Sequence, residues 1–159
     1  MANKKICVIP GMFDPVTNGH VDIILRASEL FDKIYVTSFY NSAKKTMFDL
    51  DARREMLKLA CEGINNVTAD AANGLLADYA KSKNAGFIVK GIRNAADYGY
   101  EYDLFMINRE IGGGIETVFF PAKPEHLYIS STFVREMIRY KRDISDYVPG
   151  KVCEFIQNS

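Results

Sequence analysis

The sequence predicts a single α/β domain over residues 1–159, built on a doubly wound sheet of five parallel strands. Three observations lead there. Five short runs, mostly apolar and β-branched or aromatic, recur along the chain; between them the apolar period becomes that of an amphipathic helix; and no repeat, low-complexity stretch or linker divides the sequence. Strand then helix, repeated, requires parallel strands joined by right-handed crossovers, which cover both faces of an open sheet. A chain of 159 residues can bury one substantial core without metal or disulfide staples.

The elements follow in order. Ile6 to Ile9 reads as the first strand, and Val21, Ile24, Leu25, Ser28 and Phe31 form the stripe of a first helix with Asn18 as a cap. Ile34 to Phe39 is the second strand. Leu50, Leu57, Ala60 and Cys61 mark a second helix begun near Asp49, and Asn66 to Ala69 a third strand. Leu75, Leu76, Tyr79 and Ala80 make a third helix before a strand at Gly86 to Val89. A longer helix spans about Ala96 to Ile111 and ends at Gly112 to Gly114, where the backbone turns freely into the strand Glu116 to Phe120. Ser130 or Ser131 opens another helix, and Pro149 a final one through Phe155 and Ile156.

Composition narrows the function classes. Twenty basic and twenty acidic residues cancel, so no overall field draws the chain to nucleic acid or to a membrane surface, and local clusters must bind any anion. Cys7, Cys61 and Cys153 lack CxxC spacing and lie in apolar stretches, as small core hydrophobes do. No stretch has signal or membrane-spanning length, so a cytoplasmic protein is expected.

In a doubly wound sheet, ligands bind at the carboxyl edge where strand order reverses, which directs attention to the loops after the first and fourth strands. The first, Pro10 to His20, runs straight into a helix. Gly11 lets backbone approach a ligand, the free amides and helix dipole favour phosphate, and His20 on the first turn could donate a hydrogen bond to a phosphate oxygen. The same residues would also serve a plain strand-to-helix turn. The second loop, Lys90, Gly91, Ile92, Arg93 and Asn94, sets a mobile point charge and a guanidinium fork around a glycine, as a polyphosphate requires, or forms a solvated basic turn. Asn41 to Lys45 adds charge at the same edge. Tyr128 to Arg135 places three hydroxyls, Ser130, Ser131 and Thr132, at a helix start where capping needs only one. With no metal-ligand cluster, nucleophilic cysteine or serine triad, and with no metal ligand assigned, these loops together point to nucleotide chemistry done by positioning.

Nearly the whole chain resembles the phosphopantetheine adenylyltransferase family, of the nucleotidyltransferase superfamily with a Rossmann-like fold. The matching residues are PGxFDPxTNGH at Pro10 to His20, Lys44 to Phe48 within SxKKxMF, GxR at Gly91 to Arg93, Asp97 to Glu101, Asn108 with Arg109, and ISS(S/T) in Tyr128 to Thr132. The resemblance implies transfer of AMP from ATP, with Mg2+, to 4'-phosphopantetheine, and a homohexamer. It implies catalytic roles for His20, Lys44 and Arg93. ATP contacts fall on Gly11, Met12, Phe13, His20, Gly91, Ile92, Arg93, Glu101 and the span His126, Leu127, Tyr128, Ile129, Ser130, Ser131, Thr132. Acceptor contacts fall on Met12, Lys44, Leu76 and Lys90.

Two positions depart from the family pattern. Met12 stands where threonine or serine is usual, forgoing a hydrogen bond worth about 1.5–3 kcal/mol to a charged phosphate. Lys90 stands where arginine is usual, keeping the charge and losing the fork. The segment Ile129 to Arg135 also resembles the sister enzymes acting on nicotinamide or nicotinate mononucleotide, although Thr17 replaces the first histidine of their HxGH motif. A non-catalytic nucleotide sensor would keep the same phosphate loops.

Overall fold

The computed structural model describes residues 4–159. Five parallel strands, β1 (Ile6–Gly11), β2 (Lys33–Phe39), β3 (Val67–Ala72), β4 (Phe87–Ile92) and β5 (Glu116–Pro121), form one sheet in the order β3-β2-β1-β4-β5. Helices α1 (Asn18–Ser28), α2 (Leu50–Ala60), α3 (Leu76–Ser82) and α4 (Ala95–Ile111) are the crossovers. A 3-10 turn at Pro124–His126 leads to α5 (Ser131–Arg139), and α6 (Gly150–Gln157) closes the chain. The doubly wound five-stranded sheet is therefore the one the alternation of strand and helix predicts.

Several boundaries differ from the sequence reading for physical reasons. Thr17, not Asn18, caps α1. Asn18 is the first helical residue, its amide donating to the Tyr147 carbonyl at 2.9 Å. β1 and β4 run past the predicted ends, because Pro10 and Gly11 still pair with Thr37 and Ser38 of β2, and Lys90, Gly91 and Ile92 with Phe119, Phe120 and Pro121 of β5. Lys90 and Gly91 thus belong to a strand, where pairing overrides the turn propensity of glycine.

The pairing between the two halves of the sheet is much shorter. β1 meets β4 only at Cys7 opposite Phe87 and Val8 opposite Ile88. Above that level each strand stays with its outer neighbour and the two diverge, opening a crevice at the point where strand order reverses.

The two faces of the sheet are unequally covered. α1, α2, α5 and α6 bury Ile24, Leu57, Val134 and Val152 in one large core with Cys7, Ile34 and Val36. On the other face a smaller cluster gathers Val8, Ala80, Ala85, Ile88 and Ile115, with Leu76 and Tyr79 packed against it. α4 buries none of its residues and exposes Tyr98, Tyr100, Tyr102, Met106, Ile107 and Ile111. The three cysteines are buried and unbonded. Burial pushes the Cys7 thiol up to about 12 and Cys61 to about 11, so neither is a nucleophile at neutral pH.

Candidate active site

The crevice between β1 and β4 holds a cavity of about 370 Å³. Its floor is Ile9, Pro10 and Gly11 from one strand and Val89, Lys90 and Gly91 from the other. Little room is left for a side chain at either glycine. A Cβ on Gly11 would stand 3.0 Å from the Phe13 ring, and one on Gly91 would stand 3.2 Å from Cγ1 of Ile23.

Two helices aim their amino ends at this space. Gly19 of α1 and Ser131 and Thr132 of α5 line it. Their amides fall in the first turn, where helix geometry supplies no carbonyl partner, so each N–H is available to an anion in the positive end of a dipole. The hydroxyls of α5 have other partners. Ser130 Oγ caps the helix by accepting from the Phe133 amide at 3.1 Å. Ser131 Oγ donates to the Pro15 carbonyl at 2.8 Å, and Thr132 Oγ1 accepts from Arg135 at 3.1 Å. Of the three hydroxyls that the sequence pattern offers to phosphate, Ser131 donates its proton within the fold, while Ser130 and Thr132 act there only as acceptors and keep theirs for a ligand beside the amides.

His20 is set by α1 itself. Thr17 and His20 form a reciprocal cap: the His20 amide donates to Thr17 Oγ1, and the Thr17 amide donates to His20 Nδ1 at 3.0 Å. Nδ1 is therefore an acceptor, and the proton of the neutral ring sits on Nε2, the polar atom left for the cavity. Burial, reinforced by the charges of Arg93 and Lys90, lowers the His20 pKa to about 4, so the ring is a neutral donor at pH 7. The Phe13 ring packs edge-on against the imidazole, with centroids 5.0 Å apart. To place it there, Phe13 adopts φ 47°, a conformation that costs a non-glycine residue about 1–2 kcal/mol.

The opposite wall carries the cations. Lys90 Nζ lies 3.2 Å from Glu101 Oε1, and Arg93 Nε lies 3.1 Å from Asp97 Oδ2, with Asp97 also accepting from the Arg93 amide at 3.1 Å. Burial raises the Asp97 pKa, but the hydrogen bonds and charge of Arg93 outweigh it and hold the carboxyl below its usual range. Glu101, implied by the resemblance as an ATP contact, is here the partner of Lys90. Gly11, Phe13, His20, Lys90, Gly91, Arg93, Glu101, His126, Ile129, Ser130, Ser131 and Thr132 all line the one cavity.

The other sequence-named positions do not line it. Lys44 sits in the exposed turn between β2 and α2, its amide donating to the Asn41 carbonyl at 3.1 Å, and it does not share the cavity of His20 and Arg93 as the sequence led us to expect. Leu76 packs into the smaller core, and the exposed leucine of that pair is Leu75. Met12 presents its carbonyl inward, accepting from Ser38 Oγ at 2.9 Å and Arg53 Nη1 at 2.7 Å. Ile92 ends β4, where its carbonyl accepts from the Ala122 amide at 2.8 Å. Leu127 and Tyr128 face solvent.

Sequence reasoning missed the supports of this site. Asp14 is buried and accepts from the amides of Met47 at 2.8 Å and Phe48 at 2.9 Å, while its own carbonyl accepts from Arg135 at 2.7 Å. One residue thus ties the β1–α1 loop to the end of the Lys44 loop and to α5. Arg53 of α2 is 1% exposed and also donates to Ser38 Oγ at 2.9 Å. Its place four residues before Leu57, on the apolar stripe of α2, is the signal that could have found it.

The fold and the crevice define a class that the comparisons with known proteins share. The profile of the cytidylyltransferase-like family matches residues 8–137, within the nucleotidyltransferase superfamily. A crystal structure provisionally named a nicotinate-nucleotide adenylyltransferase, from Vibrio parahaemolyticus, has the same fold, with TM-score 0.74 and 22% identity over 98% of this chain and 93% of that one. Nearer relatives narrow the class. The chain is 40% identical to the phosphopantetheine adenylyltransferase of Caldanaerobacter subterraneus subsp. tengcongensis over 94% of both chains. It is 44% identical to that of Streptococcus pneumoniae, over 98% of this chain and 97% of the relative. The chain belongs to the phosphopantetheine adenylyltransferase family.

Proposed function

We propose that the protein transfers the adenylyl group of ATP to 4'-phosphopantetheine, giving dephospho-coenzyme A and pyrophosphate in coenzyme A biosynthesis. The observation that carries this reading is the convergence on one crevice of a neutral imidazole, two cations and the amino ends of two helices. The family's name supplies the acceptor.

The chemistry needs no general base. An acceptor phosphate with its second pKa near about 6 is mostly dianionic at neutral pH. One of its oxygens attacks the α-phosphorus in line, a new P–O bond forms as the bond to the β-phosphate oxygen breaks, and pyrophosphate leaves with the electron pair. The protein must bring two anions together and hold the charge that grows on the α-phosphate. We assign that charge to His20 Nε2–H and the fork of Arg93, with the amides of Gly19, Ser131 and Thr132 holding the remaining phosphate oxygens. Lys90 faces the acceptor phosphate. Lys44 captures the acceptor from the turn that Asp14 anchors. Phosphate arriving beside Lys90 and Arg93 takes over part of the pairing that Glu101 and Asp97 provide in the structure.

Magnesium is expected as part of the substrate. Among the described residues no group of three or more His, Cys, Asp or Glu side chains could hold a metal ion. The two carboxylates of the cavity are each engaged by a cation. The residues present therefore do not form a dedicated magnesium site, and we assign the ion to the ATP phosphates and water.

The exposed apolar residues of α4 support assembly into the homohexamer expected for the family, with that helix inside an interface. No helix among the described residues is long and apolar enough to cross a membrane, and a cytoplasmic location suits the proposed substrates. Pyrophosphate release measured with ATP and a panel of acceptors tests the function. Release dependent on phosphopantetheine is expected. A stronger response to nicotinate mononucleotide would move the chain to the sister activity, and ATP binding without any release would make it a sensor.

A further inference from the structure

On the adenylyltransferase reading the nucleotide's phosphates lie at the amino end of α1, and the connection from β5 to α5, which supplies Ala122, His126 and Ile129 to the same cavity, offers a wall for its nucleoside part. That connection contains no strand or long helix of its own. The sheet holds its start at Pro121 and Ala122, and the charged tie from α1 to the residues beyond is made by one carboxylate.

Asp22 lies two residues beyond His20 on α1, with its side chain 11% exposed. Its Oδ1 meets Lys123 Nζ at 2.7 Å, and its Oδ2 meets Arg26 Nη1 at 3.1 Å. The same Arg26 nitrogen donates to the Pro121 carbonyl at 2.9 Å, and its guanidinium lies over the Phe120 ring, 5.0 Å from the centroid. Of the residues flanking Ala122, Lys123 is thus fastened to α1 through Asp22, and Pro121 is held by Arg26 of α1, whose guanidinium Asp22 orients. From Lys123 the constraint passes along the backbone: its carbonyl accepts from the His126 amide at 2.9 Å, and the His126 carbonyl accepts from the Ile129 amide at 3.1 Å. His126 in turn packs close to Gly19, where a built Cβ would stand 3.6 Å from the His126 Cβ.

We infer that Asp22 is a positioning residue for ATP: through Lys123 and Arg26 it sets the gap between the phosphate-holding end of α1 and the wall formed by residues 121–129. Asp22 does not touch the nucleotide. It fixes two surfaces on one rigid helix so that their separation matches one molecule, and the ordering cost is met before the ligand arrives. The acceptor, held by Lys90 and the Lys44 turn, lies outside this coupling. This inference rests on the adenylyltransferase reading, so its test includes a measurement that does not.

The experiment compares the wild-type protein with Asp22→Asn, which keeps the shape and loses the charge, and with Lys123→Met, whose half-exposed side chain can be exchanged without opening the core. Calorimetry is run with ATP and separately with phosphopantetheine. Asp22→Asn is expected to weaken ATP about tenfold, the scale of one charge-assisted hydrogen bond. Lys123→Met is expected to weaken it about threefold, as a more exposed pair should. Phosphopantetheine affinity and kcat at saturating ATP stay within about twofold of wild type, because uniform binding alone is lost. Asp22→Glu restores most of the ATP affinity. Hydrogen exchange on substrate-free protein should show residues 121–129 opening about tenfold faster in both variants, with α2 and α6 unchanged.

Unchanged ATP affinity in a folded Asp22→Asn, or equal loss for both substrates, overturns the inference. If Asp22→Asn fails to fold, Lys123→Met decides by the same criteria. If the wild-type protein does not bind ATP, the adenylyltransferase reading falls. Exchange confined to residues 121–129 would then still establish the fastening, and uniform exchange would remove it.

Discussion

The two walls of the crevice are built in different ways. The β1–α1 wall is fixed by backbone and buried contacts: the Thr17–His20 cap, the Phe13 ring on the imidazole, and Arg53 and Ser38 on the Met12 carbonyl. The β4–α4 wall is held by two ion pairs near solvent, Lys90 with Glu101 and Arg93 with Asp97, below a helix that buries nothing in the chain. The difference separates two tasks. His20 presents its proton from the more heavily braced wall, and Lys90 and Arg93, which exchange an internal carboxylate for a phosphate before they act, sit on the more lightly held one.

The largest expected effect tests the fixed wall. His20→Ala should lower kcat by about 10²–10³-fold while ATP affinity changes by less than about threefold, since removal of one transition-state donor costs on that order. Steady-state kinetics with phosphopantetheine saturating will show it; a loss carried by KM would place His20 with the binding groups instead. Arg93→Ala tests the other wall and should lower kcat/KM for ATP about 10²-fold, through both kcat and KM, with Arg93→Lys recovering part of the loss but not the fork.

A smaller change sharpens the contrast. Asp97→Asn should alter ATP affinity by no more than about fivefold, and its effect should fade as salt is raised, because the pair it breaks is partly solvated. A matched Thr17→Ala should instead reduce kcat, and one-dimensional proton NMR will report whether the ring has changed tautomer.

The subtlest effect is on pH dependence. His20 titrates at about 4 in the folded protein, against 6.5 for the free side chain. Between those values the unfolded chain binds more protons than the native one. His20 therefore adds stability that is fully present above 6.5 and is lost as pH falls towards 4. Substrate-free protein should show the His20 nitrogens titrating near 4, and His20→Gln should flatten the stability curve through that window. A midpoint near 6.5 would mean that burial and the two cations do not govern the ring.

Much of this was legible in the chain. The alternation of apolar runs and helical stripes determines the sheet, and Gly11, His20, Lys90, Gly91 and Arg93 were marked by their residue types at strand ends. Strand pairing was not legible: Pro10 and Gly91 look like breakers until a neighbour in register is known. Leu75 and Leu76 cannot be distinguished by periodicity, since a helix start decides which of them turns inward. Lys44 is attracted to the site by charge, but its location depends on a turn whose anchor, Asp14, looks in sequence like an ordinary turn former. Arg53 betrays its burial by standing on the apolar stripe of α2, but its partners and those of Asp22 lie far along the chain, where no local pattern reveals them.

The reciprocal cap at the start of α1 has one further consequence. A single imidazole both completes the first helical turn and presents a proton to the reacting phosphate, so the helix end and the donor cannot be altered independently. A substitution at position 17 that frayed this end would be scored in an assay as a chemical defect, although its first effect is on the helix start. Variation at that threonine is thus constrained twice, by folding and by turnover.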